Sequence, residues 1–368
     1  MYNIKMHRVI IFLTVLILIV SISIWYFTKK SKNNNKLLQI SGPSSCKIFT
    51  KVQEIFSINV NQTLPSVGYV FNCENNNIIF SANTSKLNIS RDRGSTWKNT
   101  SIYDTNWCRG FSNKDKQIVW SNAMGASTGK FYISTDFFDT FTQYTSNIAA
   151  FVVQNYISIN DSNVITIASN NQIYQSEDNG NIFKSILTIP NGVINFRTDQ
   201  SSNIMFISQT GDKSPLTLSI DGGKSWINPS LPVPQGYNYS YNGIVSTDGK
   251  ILSVLCNGFD SNYSYNYLFK SYDLGKSWQQ EYFVQSDDKK YLFTSVISYN
   301  NGWTTFIGDN KGNTFYSYLL GRSWQKLNTG STDPIYEIIS DDLNNVYMLT
   351  SNVNFQNPNG YYKIYKTI

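Results

Sequence analysis

The chain has one histidine, His7, close to the N-terminus. Everything that follows lacks imidazole. That excludes histidine acid–base catalysis, Ser-His-Asp or Cys-His nucleophiles and histidine-ligated metals from the body of the protein. Arginine is scarce as well, limited to Arg8, Arg91, Arg93, Arg109, Arg197 and Arg322. The four cysteines, Cys46, Cys73, Cys108 and Cys256, lie too far apart for a zinc pattern. No metal and no cofactor is expected. Helical periodicity is missing after residue 30, so the body is not helical. The formal net charge is +6, and it includes five lysines that flank one N-terminal stretch: Lys5, Lys29, Lys30, Lys32 and Lys36. No Lys/Arg stripe marks a nucleic-acid face, and no nucleic-acid partner is expected.

What the chain does have is one short pattern repeated six times. It reads Ser90-x-Asp92-x-Gly94-x-Thr96-Trp97, Ser134-x-Asp136-x-Phe138-x-Thr140-Phe141 and Ser176-x-Asp178-x-Gly180-x-Ile182-Phe183 in the first half. The second half carries Ser219-x-Asp221-x-Gly223-x-Ser225-Trp226, Ser271-x-Asp273-x-Gly275-x-Ser277-Trp278 and Ser317-x-Leu319-x-Gly321-x-Ser323-Trp324. The steps from serine to serine are 44, 42, 43, 52 and 46 residues. A fixed period in this range marks a repeat fold, and one four-stranded blade per repeat suits it.

Each position has a physical reason. A short Asp accepts backbone N–H groups a few residues on and closes a turn without a ladder. Gly tolerates positive φ. The closing Trp or Phe carries an apolar ring into the space between neighbouring blades. The pattern resembles the Asp-box of the bacterial neuraminidase repeat families. These include sialidases, sortilin-type receptors, xyloglucan-cleaving hydrolases and a photosystem assembly factor. Copies one, four and five match best; Phe138, Ile182 and Leu319 depart from the pattern. The resemblance implies a β-propeller with the boxes joining third and fourth strands on one face.

Between the boxes, runs of five to seven residues rich in Val, Ile, Tyr, Phe and Thr read as strands. The first two blades are predicted at Val67–Cys73, Ile78–Ala82, Leu87–Arg91 and Thr96–Ile102, then Cys108–Ser112, Gln117–Ser121, Lys130–Thr135 and Thr140–Tyr144. After the sixth box come Ile335–Ser340, Val346–Thr350 and Tyr361–Thr367. One unclaimed strand in Cys46–Val60 completes that last set. The expected fold is all-β, a seven-bladed β-propeller over residues 45–368 closed by both termini, with six blades as the alternative.

Residues 1–8 read as a tail, 9–28 as a transmembrane signal-anchor and 29–44 as a polar linker. Val9 to Phe27 carries no charge and is long enough to span a bilayer. It lacks the small-residue cleavage site of a signal peptide. Lys29, Lys30, Lys32 and Lys36 favour a cytosolic propeller. The even cysteine count and the habit the resemblance implies favour a lumenal or extracellular one, which is the expectation here. Cys73 and Cys108 sit at similar places in neighbouring first strands and form either a disulfide or two buried thiols. Seven sequons, at Asn61, Asn83, Asn88, Asn99, Asn160, Asn238 and Asn262, are glycosylation candidates. With 44 asparagines in the chain, a comparable number arises by chance.

Sialidase chemistry needs three arginines clamping a carboxylate. Here Arg91, Arg93 and Arg322 fall inside boxes and Arg8 precedes the anchor, leaving Arg109 and Arg197. A carboxylate-pair hydrolase would draw on Asp104, Asp199, Asp212, Asp260 and Asp309, none of them paired by spacing. No catalytic residue is assigned. A binding platform remains: a membrane-anchored, non-catalytic module for a protein or glycan, with the hydrolase as alternative. Two segments read as long loops rich in Tyr and Asn, Pro229–Tyr241 and Asn257–Tyr267. They nominate Tyr237, Tyr239, Tyr241, Tyr263, Tyr265 and Tyr267 as binding residues.

Overall fold

The structure, a computed structural model, describes residues 51–368 apart from certain stretches and single positions. The stretches left out are 60–68, 75–76, 83–85, 104–106, 112–115, 122–128, 149–155, 200–202, 210–215, 235–237, 246–250, 300–303, 319–320, 342–344 and 354–356. The single positions are 161, 170, 191, 322 and 358. The expected tail, anchor and linker lie outside the described residues.

Regular structure among the described residues is all strand. β1 (Val52–Asn59) precedes the repeats. β2 (Tyr69–Glu74), β3 (Asn77–Ala82), β4 (Lys86–Ser90) and β5 (Lys98–Tyr103) form an antiparallel unit in chain order. So do β6 (Trp107–Phe111), β7 (Gln117–Ser121), β8 (Lys130–Ser134) and β9 (Thr142–Thr145), and β10 (Tyr156–Ile159), β11 (Ile165–Ser169), β12 (Gln172–Ser176) and β13 (Lys184–Thr188). These two units join into one eight-stranded sheet, because β10 runs parallel to β6 with Ile157 opposite Gly110. β14 (Val193–Thr198), β15 (Met205–Gln209) and β16 (Leu216–Ser219) make a three-stranded sheet. Four-stranded sheets follow from β17 (Asn238–Val245), β18 (Leu252–Phe259), β19 (Ser264–Ser271) and β20 (Gln279–Ser286), and from β21 (Phe293–Tyr299), β22 (Thr304–Asp309), β23 (Thr314–Tyr318) and β24 (Ser323–Leu327). The predicted strands of the first two repeats fall within two residues of these bounds.

The chain ends with β25 (Ile335–Ser340), β26 (Val346–Ser351) and β27 (Tyr361–Thr367), and β1 pairs antiparallel on β27, from Val52 opposite Thr367 to Asn59 opposite Tyr361. The expected two-ended sheet is therefore present. β25 lies against both β21 and β2, so the last unit meets the first. Across that seam Ile78 and Phe80 pack with Tyr347, Leu349, Tyr362 and Ile364. A sheet whose edge strand comes from the other end of the chain is held by both termini, and neither terminus can fray without exposing an edge.

Four second strands are buried along their whole length. β11, β15, β22 and β26 have no exposed residue, because each is flanked in its own sheet and covered by neighbouring units on both faces. Fourth strands alternate instead, as in β20. The β14–β16 unit lacks a regular fourth strand for a chemical reason. Leu218 and Ile227 exchange two backbone hydrogen bonds of 2.8 Å, and then Pro229, Pro232 and Pro234 remove donors and stop the ladder. Leu231 and Val233 of this extended stretch pack as side chains instead.

Candidate functional site

In five of the six octapeptide turns the hydrogen bonding repeats closely. The first serine hydroxyl donates to the Asp carboxylate at 2.6–2.9 Å and accepts the N–H of the fifth residue at 2.7–2.9 Å. The carboxylate accepts the N–H four residues on at 2.8–2.9 Å. Where that residue is Thr or Ser its hydroxyl adds a bond of 2.6–2.7 Å, which Ile182 cannot supply. These bonds hold the Asp221 carboxyl down to about 2, chiefly through the Ser225 hydroxyl and N–H, and hold Asp92, Asp136 and Asp178 below their usual value.

The glycine has a second duty that its backbone freedom alone does not reveal. A methyl group added at Gly94, Gly180, Gly223, Gly275 or Gly321 would collide with Ile55, Phe131, Ile186, Leu218 or Glu281, each from the preceding unit. The turns sit in the seams between units. Closing rings fill the same seams. Trp97 lies 4.4 Å from Phe56, Phe183 6.2 Å from Phe131, Trp278 6.5 Å from Phe206 and Trp324 4.5 Å from Tyr282 (ring centroids), while Trp226 joins the cluster of Ala168 and Ile173.

Two turns deviate. In the second, Phe137 and Phe138 both take left-handed φ, 54° and 61°, which L residues adopt at a cost. Phe138 is compensated by burial among Ile79, Leu87, Ile89 and Ile102 of the preceding unit. In the sixth, Leu319 stands in the place of the Asp, and residues 319, 320 and 322 lie outside the described residues. The β23–β24 ladder there extends to Tyr318 opposite Ser323. There the Trp324 indole N–H has no hydrogen-bond partner, whereas Trp97, Trp226 and Trp278 donate to their glycine carbonyls at 3.0–3.2 Å.

The two Tyr/Asn segments are loops only in part: 229–234 and 260–263 are irregular, but the Tyr-x-Tyr stretches are strands, which corrects the sequence reading there. Tyr239 and Tyr241 belong to β17, and Tyr265 and Tyr267 to β19. The register lines them up across β18: Tyr239–Gly258–Tyr265 and Tyr241–Cys256–Tyr267. The alternation Tyr-x-Tyr-x-Tyr was itself the strand signal, since side chains of a strand alternate between faces. Tyr267 is core, stacked on Phe269 and Phe283 at 5.6 and 4.7 Å, beside the buried Cys256. The intervening polar residues serve the next unit: Asn257 Nδ2 donates to Phe293 O at 2.8 Å, and Asn266 Oδ1 accepts from Phe293 N at 3.2 Å. Tyr237 and the side chains of Tyr239 and Tyr241 lie outside the described residues.

What remains exposed is the β18–β19 turn. Phe259 is 53% exposed and Tyr263 38%. Tyr263 stands edge-to-face on Tyr265 at 6.3 Å, and the Tyr265 hydroxyl donates to Asp260 Oδ2 at 2.7 Å. Asp260 Oδ1 accepts from the N–H groups of Asn262 and Tyr263 at 2.6 and 2.7 Å, and these bonds lower its pKa. Antiparallel strands reverse at every turn, so this tip lies at the end of its sheet opposite the octapeptide turn of β19–β20. The neighbouring loops there are cross-linked. Ser264 Oγ donates to Asp288 O at 3.0 Å, Asp288 pairs with Lys311 at 2.8 Å, Thr329 Oγ1 donates to Gly312 O at 2.9 Å, and Tyr361 Oη to Asp333 at 2.7 Å.

The remaining candidates resolve one by one. Asp199, Asp260 and Asp309 are turn closers, accepting from Ile204, Asn262 and Asn313 N–H groups, so their carboxylates already serve the fold; Asp104 and Asp212 lie outside the described residues. Asn88 is 6% exposed inside β4 and its amide donates to Phe80 O and Lys86 O, which leaves no room for a glycan. Asn99 and Asn262 are exposed and Asn160 half-buried; Asn61, Asn83 and the Asn238 side chain are outside the described residues. β2 and β6, which carry Cys73 and Cys108, do lie against each other, but the two thiols lie outside the described side chains, as does Cys46.

No family model and no curated protein matches this sequence. Solved structures do. YCF48 bound to D1 peptide is 12% identical at a TM-score of 0.58, covering 88% of this chain and 98% of that one. The GH74 xyloglucanase from Xanthomonas campestris gives 0.61 at 11% identity over 85% of this chain, which spans 55% of that enzyme. The WD40 β-propeller domain of Doa1 gives 0.53 at 11% identity, covering 86% and 97%. The chain is a β-propeller. Identities this low speak for fold and leave function to the site.

Proposed function

We propose that this chain is a seven-bladed Asp-box propeller that binds a protein partner without catalysing a reaction. It is carried on a single-pass anchor at residues 9–28 with the propeller lumenal or extracellular. The blade count rests on the succession of antiparallel units and on the contact of β25 with β2. The box assignment rests on the repeated Ser–Asp–backbone bonding. The observation that carries the binding reading is the aromatic tip: exposed Phe259 and Tyr263, held in place by Asp260 and by cross-linked neighbouring loops. Rigid exposed aromatics gain contact area with little ordering cost, which is what a protein-binding anchor requires. YCF48 in complex with a peptide is a neighbour in fold and supports a peptide-like ligand.

The test is a peptide array probed with the full chain in detergent, beside a Phe259→Ala/Tyr263→Ala variant. Peptide binding that the variant loses is the expected result. No peptide binding, or binding unchanged in the variant, removes the tip from consideration. Topology is checked separately by endoglycosidase and protease protection. A mass shift with lumenal protection is expected, and cytosolic cleavage without a shift reverses the orientation.

A further inference from the structure

In the seam between the β2–β5 and β6–β9 units, Phe138 packs on the preceding unit in place of the closing ring. In the other five turns the closing ring packs on the preceding unit, but Phe141 turns outward, 36% exposed, and stands edge-to-face on Tyr132 of its own unit at 5.7 Å. The flank of β5 that Phe141 leaves uncovered borders a cleft of about 390 Å³. Sites for small ligands begin at roughly 300 Å³. Its lining includes Trp97, residues 98–101, Phe138, and Arg91 with Asp139.

The chemistry of that lining is specific. Arg91 Nη2 bonds Asp139 Oδ2 at 2.5 Å and Asp136 O at 2.8 Å, so the guanidinium is fixed. Among the described residues, its Nε and Nη1 groups and the second Asp139 oxygen carry no bond, which presents donors and an acceptor side by side. The Asn99 amide and the Ser101 hydroxyl are exposed beside a half-buried indole. Paired donors and acceptors around an aromatic face match a sugar ring, whose hydroxyls both donate and accept and whose C–H face is apolar. An extended peptide fits worse. The β4–β5 register slips from Asn88 opposite Asn99 to Lys86 opposite Tyr103, leaving residues 100–102 bulged, and a bulged edge is a poor template for an added strand.

We propose that this cleft binds a short oligosaccharide, independently of the aromatic tip. The full chain in a sugar-free zwitterionic detergent is titrated with cellobiose, chitobiose, lactose and maltose. At least one binds, and Ser101→Trp, which plugs the cleft, weakens it by about tenfold or more, as does Arg91→Met. Phe259→Ala binds sugar like the parent. Arg91 also braces the second turn; if Arg91→Met does not fold, Ser101→Trp alone decides. The proposal is overturned if no disaccharide binds, if Ser101→Trp binds equally well, if only strand-forming peptides bind, or if a glycan attached to Asn99 fills the cleft.

Discussion

Arg197 on β14 and Glu337 on β25 are 140 residues apart in sequence, yet one guanidinium nitrogen donates to both carboxylate oxygens at 3.0 and 3.1 Å. Both side chains are buried, and two whole units separate their strands along the chain. The pair ties the closing unit to one that it does not adjoin in sequence. Breaking one partner of a buried pair costs about 3–5 kcal/mol, because the other charge is stranded, while replacing both with apolar residues costs far less. Glu337→Gln is therefore expected to destabilise strongly, and Arg197→Met/Glu337→Leu to recover much of the loss in denaturant unfolding. Additive single effects would show that the two residues act separately.

Acid should attack the octapeptide turns. Their carboxylates titrate below the usual 3.8, down to about 2 for Asp221, so the charged form is favoured by folding. A depressed carboxylate stabilises the fold fully above pH of about 4 and loses that contribution as pH falls to about 2. Melting temperature should drop across this window. Asp221→Asn should show a shallower drop; an identical slope would place the acid sensitivity elsewhere.

Seam geometry decides the turn variants. Gly275→Ala forces a methyl onto Leu218 at a φ of 87° and should cost on the order of 1–3 kcal/mol. Phe138→Gly relieves a left-handed φ worth a similar amount but empties a buried ring site, worth about 3–5 kcal/mol. The ring term is the larger, so Phe138→Gly should destabilise. A gain in stability would mean that the backbone strain dominates.

Exposure separates the tyrosines. Tyr263→Ala should leave stability within about 0.5 kcal/mol, whereas Tyr267→Ala removes a stacked core ring and should cost several times more. Chemical unfolding of the two variants reads this directly. Equal effects would contradict the placement of Tyr267 between Phe269 and Phe283.

Removing residues 41–60 strips β1 from β27 and exposes a full strand edge. The truncated chain should aggregate. A soluble product with a cooperative melt would show that β1 is dispensable.

The repeat, the turn chemistry and most strand positions were legible in the residues alone. An Asp that bonds an N–H four residues on, or a strand that alternates every second residue, depends on neighbours in sequence. The tyrosine segments belonged to the same readable class, yet their Tyr/Asn content hid a regular alternation that β17 and β19 use as strands. Other features are decided between units. Whether Phe141 fills a seam or faces solvent depends on what the adjoining unit presents. The same holds for Gly275, barred from a side chain by Leu218, and for Arg197, which meets Glu337 only once the closing unit is in place. The sequence by itself determined a ladder of similar units and the turns that build them. Only the tertiary structure decided which seams close, which rings stay exposed and which charges meet, because those outcomes depend on packing between residues the chain order keeps far apart.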